Sequence, residues 1–581
     1  MRAIVIAATL AFAGYALPAY TQTIYPIDRA DILAGSRFDF KVEFPDLRGT
    51  DSAAVAINGE DHAKVFGTAA SMVTEKIGDK EMSALVLRDV SLKPGTYRVK
   101  AGDSEVAWNV YATGQRKARN VILFVGDGLS LSHRVAARLL SKGIKQGKTN
   151  GKLAMDDMPH MALVATAGSD SIITDSANSA SAYATGHKTA NAALGVYADR
   201  TPNPFDDPRV ETISSLVKRR HNMAIGIVTN TEIEDATPAA MAAHTRNRRS
   251  YGQIVEQFFD AKPDVLMGGG AAHFLPKGAL GSKRRDEVNF IEKFTAEGYR
   301  FAATGSELAI AAQEVTTSRL LGLFHTGNMD GVLDRKFLKG GTAKAFPDQP
   351  DLTEQMQAAL AVLSRNPNGF FLMVESGLID KFAHALDMER AVYDTIMLDN
   401  AVRIAKDWSK ARGDDTLILV VSDHAHPNSL VGTINDDMAS IPNTPLRERL
   451  GVYDKAGFPN YPSPDAGGYP PRVDVSRRIA ILSAALPDHY ETLRPKLDAP
   501  NEPAMRGTAP RTYVANDKYK DAPGAMLRLG NLPAYLGASV HSGEDVILTA
   551  TGPGADRVRG SMDNTEVFRV MAEALGLAPG E

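Results

Sequence analysis

The chain has 581 residues, a net charge of −4, 44% apolar and 23% charged residues, and no cysteine. That length exceeds one average domain, and the balance is that of a soluble globular protein. No global basic field argues for nucleic acid or an anionic membrane surface, and disulfides, thiolate ligands and a lipidated N-terminal cysteine are excluded.

The chain opens MRAIVIAATLAFAGYALPAYTQT. One Arg, an apolar run to about Leu17 and small residues after it predict a signal peptide over 1–21, with cleavage after Ala19. The run is short for a membrane span, so no stable membrane insertion is expected, and the expected address is periplasmic or extracellular. RFDFKVEF then alternates, with Phe38, Phe40, Val42 and Phe44 on one face and charges on the other. That is the pattern of a half-buried strand. SALVLRDV, GTYRVKAG and EVAWNVYAT follow at short intervals, predicting a small β-sandwich over 24–113.

After GQRKARN the pattern changes. NVILFVGDG, AIGIVTN, DVLMGGG, GFFLMVES and LILVVSDH are apolar runs ending in polar residues, separated by helical stretches such as LTEQMQAALAVLSRN. Strands alternating with helices predict an α/β fold: a three-layer αβα sandwich with a mostly parallel central sheet, over 116–581. Sites in such sheets lie at the carboxyl ends of strands, where Asp127, Glu375, Asp423 and His424 fall. A Pro- and Gly-rich region at about 427–540 is too long for a plain loop and predicts an inserted subdomain. Lys283-Arg284-Arg285 reads as a solvated loop.

Chemistry concentrates in a few motifs. TDSANSASAYATGHKT is a helix of small residues opening on Asp175-Ser176. It reads either as an N-cap or as a nucleophile, Ser176, with room for a bulky group at the backbone. In VESGLIDKFAH, Asp380 and His384 share one helix face, as two metal ligands or a surface pair would. VVSDHAH places Asp423, His424 and His426 after a buried strand. Asp423 and His424 suit ligation, and His426 suits orienting a ligand. HSGEDV supplies His541. In TEIEDATPAAMAAHTRNR, Thr237-Pro238 reads as a helix start with Thr as cap. Asp235 and Thr237 equally suit magnesium, and Arg248, near the helix's far end, suits a phosphate. Asp and His donors suit zinc, and an all-oxygen set suits magnesium. Neither a G-x-S-x-G elbow around Ser176 nor a G-x-x-x-x-G-K-[ST] loop occurs.

These motifs, with the terminal NTEVFRVMAEALGL, resemble the alkaline phosphatases of the bacterial periplasmic type. The resemblance runs from about Asn120 to Leu577, interrupted by 427–540. It implies hydrolysis of phosphate monoesters through a phosphoserine on Ser176, with two zinc ions and one magnesium. Asp380, His384 and His541 match ligands of the first zinc. Asp127, Asp423 and His424, beside Ser176, match those of the second. Asp127 also matches the carboxylate shared with magnesium, completed by Thr237 and Glu375. Asp235 and Lys381 match a pair reaching magnesium and phosphate through water, and Arg248 matches the phosphate clamp. An alkaline optimum follows from the need for deprotonated oxygen nucleophiles. A homodimer is the family habit.

Two positions depart from the relatives' pattern: Asn178 stands where Ala or Gly is usual, and His187 where a small apolar residue is usual. Rivals are weaker. Ser176 lacks the [CS]-x-P-x-R setting of a sulfatase. Thr237, Glu375 and Arg248 belong to a monoesterase rather than a diesterase of the same superfamily. A full set of candidate ligands argues against a non-catalytic binding protein.

Overall fold

A computed structural model describes residues 21–49, 53–437 and 446–578. Apart from Thr21, the expected signal segment lies outside the described residues. Within them, no helix is long and apolar enough to cross a membrane.

The centre is a ten-stranded sheet. Its order is Arg300–Ala302, Leu320–Leu323, Val265–Gly269, Ala224–Glu232, Phe370–Ser376, Asn120–Gly126, Thr416–Val421, Val546–Thr551, His160–Ala165 and Arg559–Asp563. Strand Val546–Thr551 is antiparallel to both of its neighbours, and every other pairing in the sheet is parallel. The continuous apolar runs have a simple cause. Val121, Leu123 and Val125 enter the core on one face, and Ile122 and Phe124 enter the core on the other. Both faces are covered, so both need apolar side chains.

Four neighbouring strands end together. Val125 is level with Glu375 and with Val421, and Thr229 is level with Glu375. The residues just beyond these positions, Asp127, Asp235, Asp380, Asp423 and His424, therefore converge at one edge. Gly128 makes the convergence tight. Its φ is +65°, and a Cβ there would stand 2.7 Å from His426 Cδ2 and 3.2 Å from the Asp380 Cα. Only glycine fits both conditions.

Strands between Thr23 and Tyr111 form a four-stranded and a five-stranded sheet. Trp108 stands edge-on to Phe38 and Phe40 between them, its indole N–H donating to the Pro26 carbonyl at 3.0 Å. Strand Phe38–Glu43 is buried on both faces, not half-buried as its alternation predicts. Its polar face is covered by residues 199–210. Lys41 Nζ lies 2.5 Å from both Asp199 and Glu75, and Arg200 donates to Glu75 and to the Ser83 carbonyl. The charges read as solvent-facing are the tie to the main sheet. Likewise Arg284, read as solvated, is 7% exposed and donates to Asp286 and Glu256.

The described residues of the 427–540 region hold one three-stranded and two two-stranded sheets. The chain returns from it through His541 to the central strand Val546–Thr551.

Candidate active site

Both readings of Asp175-Ser176 have structural counterparts. Helix Ser176–Thr185 is capped by Asp175, whose carboxylate accepts from the Ala177 and Asn178 backbone N–H groups at 2.9 and 3.1 Å. Asn178 Oδ1 returns the favour, accepting from the Asp175 N–H at 2.9 Å. The cap is thus Asp175, and the Ser176 hydroxyl is left for other work. Ser176 is 2% exposed, with Oγ 3.2 Å from His424 Nε2 and 3.4 Å from Asp127 Oδ1. Behind it the helix is wholly buried. Ser179 Oγ and Tyr183 Oη each donate, at 2.6 Å, to the Asp423 and Ser422 carbonyls. Small side chains let the 422–424 loop lie against this helix.

The ligand atoms of Asp380, His384, His426 and His541 lie within 4.8 Å of one another. Asp380 and His384 do share a face of helix Leu378–His384, at 3.3 Å. Backbone carbonyls fix two tautomers: His384 Nδ1 donates to Ser539 at 2.5 Å, and His541 Nδ1 to Thr174 at 2.9 Å. The Nε2 atoms then face each other at 3.1 Å, each close to Asp380. Against burial, Asp380 raises the His541 imidazole above its ordinary range, so the spot between these atoms favours positive charge, a proton or a metal ion. Burial holds His384 down to about 4, so its imidazole is neutral at physiological pH. His426 Nε2–H donates to Asp380 Oδ1 at 2.7 Å.

Asp127, Asp423 and His424 form a second buried group. His424 Nε2 lies 3.1 Å from Asp127 and 3.4 Å from Asp423. Gly128 N–H donates to Asp423 Oδ1, while Asp423 Oδ2 and His424 Nδ1 are buried without a hydrogen-bond partner among the described residues. Stacked rings of His424 and His541, centroids 3.4 Å apart, join the two groups. Burial, with the Asp423 and Asp380 charges adding, pushes Asp127 well above the carboxylate range, and burial beside Asp380 pushes Asp423 up to about 6. Desolvated carboxylates crowded in this way lack a compensating positive charge.

Glu375 closes its strand beside them. Thr229 and Thr231 hydroxyls donate to its Oε2, and burial pushes it up to about 7. Thr237 is not the helix cap expected from Thr-Pro. Helix Ala236–Ala240 is capped by Asp235, with Pro238 inside the first turn, where backbone N–H groups have no helical partner. The Thr237 hydroxyl is buried with no hydrogen-bond partner among the described residues.

Asp235 takes Arg248 Nη2 on one oxygen at 2.8 Å and Lys381 Nζ on the other at 2.9 Å. Burial opposes this charge, but the two cations outweigh it and hold Asp235 below the carboxylate range. Arg248 sits on a loop rather than a helix end, anchored by its N–H to the Ala192 carbonyl at 2.9 Å. Ser176, Asp235, Arg248, Lys381, His384 and His541 all line one open pocket. The sequence reading missed the supporting polar groups Thr229, Thr231, Ser179 and Tyr183. The polar run Thr229–Glu232, at a strand's carboxyl end, was the available signal for two of them.

A mostly parallel sheet with buried carboxylates and imidazoles packed around a serine at a helix start defines a metal-dependent hydrolase. The alkaline phosphatase family model matches residues 118–449. The alkaline phosphatase of Escherichia coli K12 is 32% identical over 378 residues, covering 58% of this chain and 76% of that protein. The tissue-nonspecific isozyme of Gallus gallus is 27% identical over 502 residues, covering 80% and 86%. In fold, the Thermus thermophilus enzyme aligns with a TM-score of 0.55 at 24% identity, over 80% of this chain and 93% of that one. The chain belongs to the alkaline phosphatase family and is a metal-dependent phosphomonoesterase.

Proposed function

We propose that Ser176 is the nucleophile of a double displacement on small phosphate monoesters. The observation that carries this is Ser176 Oγ lying 3.2 Å from His424 Nε2 and 3.4 Å from Asp127, in the pocket lined by Arg248 and Lys381. Ser176 Oγ forms a bond to phosphorus as the ester oxygen leaves and takes a proton. Water then attacks the phosphoserine, releasing phosphate and returning the hydroxyl. The planar fork of Arg248 suits two phosphoryl oxygens, and Asp235 presets its direction. Lys381 adds charge at the same place.

The residues fit divalent ions, given their orphaned buried oxygens and facing imidazole nitrogens. Asp380, His384 and His541 would hold one zinc, Asp127, Asp423 and His424 a second, and Asp127, Thr237 and Glu375, with Asp235 nearby, a magnesium. Bound there, such ions supply Lewis-acid charge that lowers the serine hydroxyl's pKa and neutralises the leaving oxygen. His426 orients Asp380. The assignment carries an alkaline optimum with it.

The division into a signal segment 1–21, a β-domain 24–113 and a catalytic unit 116–581 with its 427–540 insertion is part of this reading. Export to the periplasm or beyond rests on the N-terminal sequence, and a homodimer rests on family resemblance.

The test is hydrolysis of a chromogenic phosphate monoester beside a diester and a sulfate ester. It is repeated after chelation, after return of zinc and magnesium, and with Ser176→Ala. Monoester preference that is lost on chelation, restored by metal and collapsed in the variant supports the reading. Diester or sulfate preference overturns the substrate, and full activity in Ser176→Ala overturns the nucleophile.

A further inference from the structure

We infer that Glu232, Glu234 and His273 form a separate divalent-cation site beside the catalytic pocket. Their ligand atoms lie within 4.8 Å of one another. Glu234 is fully buried, and neither carboxylate oxygen has a hydrogen-bond partner among the described residues. His273 Nε2 is likewise buried without a hydrogen bond, 3.8 Å from Glu234 Oε1. A carboxylate taken from water with no donor is costly, and such groups are retained where they are paired or coordinate a metal. A triad of carboxylates elsewhere among the described residues shows the contrast. Glu43, Glu75 and Asp199 also crowd together, but Lys41 sits among them within 3.4 Å of each. Among the described residues, the lysine or arginine that pairs with this group is Lys283, which reaches Glu232 rather than Glu234, at 3.4 Å, and is itself 58% exposed.

The backbone leaves room for the group. Gly270 has φ +88°, and a Cβ there would fall 2.1 Å from Glu234 Oε2. A side chain at 270 would thus displace the carboxylate. Glu232 lines the catalytic pocket and completes the cluster on that side.

Two carboxylates and one imidazole select a borderline metal such as zinc or manganese over calcium, which takes oxygen alone. The ion would act as a structural tie. It would join the 232–235 segment to the turn at 270–273, two pieces of chain that meet beside Asp235. The His273 ring also stands edge-on to Tyr251 at 5.0 Å, and Tyr251 Oη lies 3.4 Å from Asp235. A metal on His273 therefore braces the residue that aims Arg248 and Lys381.

The test counts metal rather than turnover. Intact protein loaded with zinc is dialysed and assayed for zinc per chain, against Glu234→Gln and His273→Gln. Each variant is expected to hold about one equivalent less than the parent. Crystals of the parent, measured at the zinc absorption edge, are expected to show an anomalous peak between Glu234 and His273. Equal zinc in parent and variants, or a peak only at the catalytic groups, overturns the site. Because the peaks are separate in space, failure here is distinguishable from failure of the catalytic metals. The crystal measurement also decides if the variants do not fold.

Discussion

Arg248 donates to Asp235 across 2.8 Å, and the same carboxylate holds Lys381 from its other oxygen. Arg248 follows Asp235 in the segment after strand Ala224–Glu232, and Lys381 stands on helix Leu378–His384, so one short side chain sets the direction of both cations facing the pocket. Asp235→Ala is expected to lower kcat/KM by ~10–100-fold, the usual effect of removing a supporting partner. Asp235→Asn should recover part of it, since an amide oxygen still receives one of the two donors. An unchanged kcat/KM in Asp235→Ala would mean that the cations aim themselves.

Chelation should change the pH dependence of stability. Without ions, burial pushes Asp423 up to about 6 and Glu375 up to about 7, from ordinary values of 3.8 and 4.5. Folded carboxylates with raised pKa contribute stability below their unfolded values and lose it as pH rises through the folded ones. The chelated protein is therefore expected to melt at progressively lower temperature from about pH 4 to about pH 7. Metal-loaded protein should lack this fall. Parallel calorimetric scans of both forms decide it.

Glu389 offers the same effect away from the metals. Burial, with the Asp387 charge adding, raises it from 4.5 to about 7. Its contribution is present below about pH 4.5 and is lost through about pH 7. Glu389→Gln keeps the shape without the charge. Its melting temperature is expected to exceed that of the parent at about pH 8 and to vary less on acidification. Identical pH profiles would remove Glu389 from the account.

Lys41 is 2% exposed and neutralises three carboxylates at the junction of the β-sheets with the main sheet. Lys41→Met leaves those charges buried, with Arg200 against Glu43 and Glu75 and Arg246 3.9 Å from Asp199. A loss of about 3–5 kcal/mol is expected, read by urea unfolding. Phosphatase activity at low temperature should persist, because Lys41 is not among the residues that line the pocket with Ser176. A loss below about 1 kcal/mol would place Lys41 among ordinary surface ion pairs.

Much of the candidate site's placement was legible because its residues follow buried strands directly. NVILFVG fixes Asp127, and LILVV fixes Asp423 and His424, at strand ends where a parallel sheet exposes them. The i, i+4 spacing of Asp380 and His384 likewise survives in the helix. What failed depended on contacts distant in the chain. Asp39, Lys41 and Glu43 alternate as a solvent face should, but residues 199–210 lie over them. Periodicity reports which residues share a face, not whether a distant segment covers that face. Thr-Pro promised a cap that Asp235 provides instead, because Pro is tolerated anywhere in the first turn. The Glu234–His273 pairing joins separate strand ends, and no local pattern marks it.

Strand Val546–Thr551 lies inside the central sheet, between Thr416–Val421 and His160–Ala165, and His541 stands just before it. Strand His160–Ala165 takes both of its partners from residues beyond 545. A growing chain therefore carries an open sheet and a half-built imidazole cluster until those residues emerge. Sheet closure and delivery of His541 are one event. A chain cut before this segment lacks both partners of strand His160–Ala165 and the strand that seats His541, so the edge of the sheet and the imidazole cluster stand or fall together.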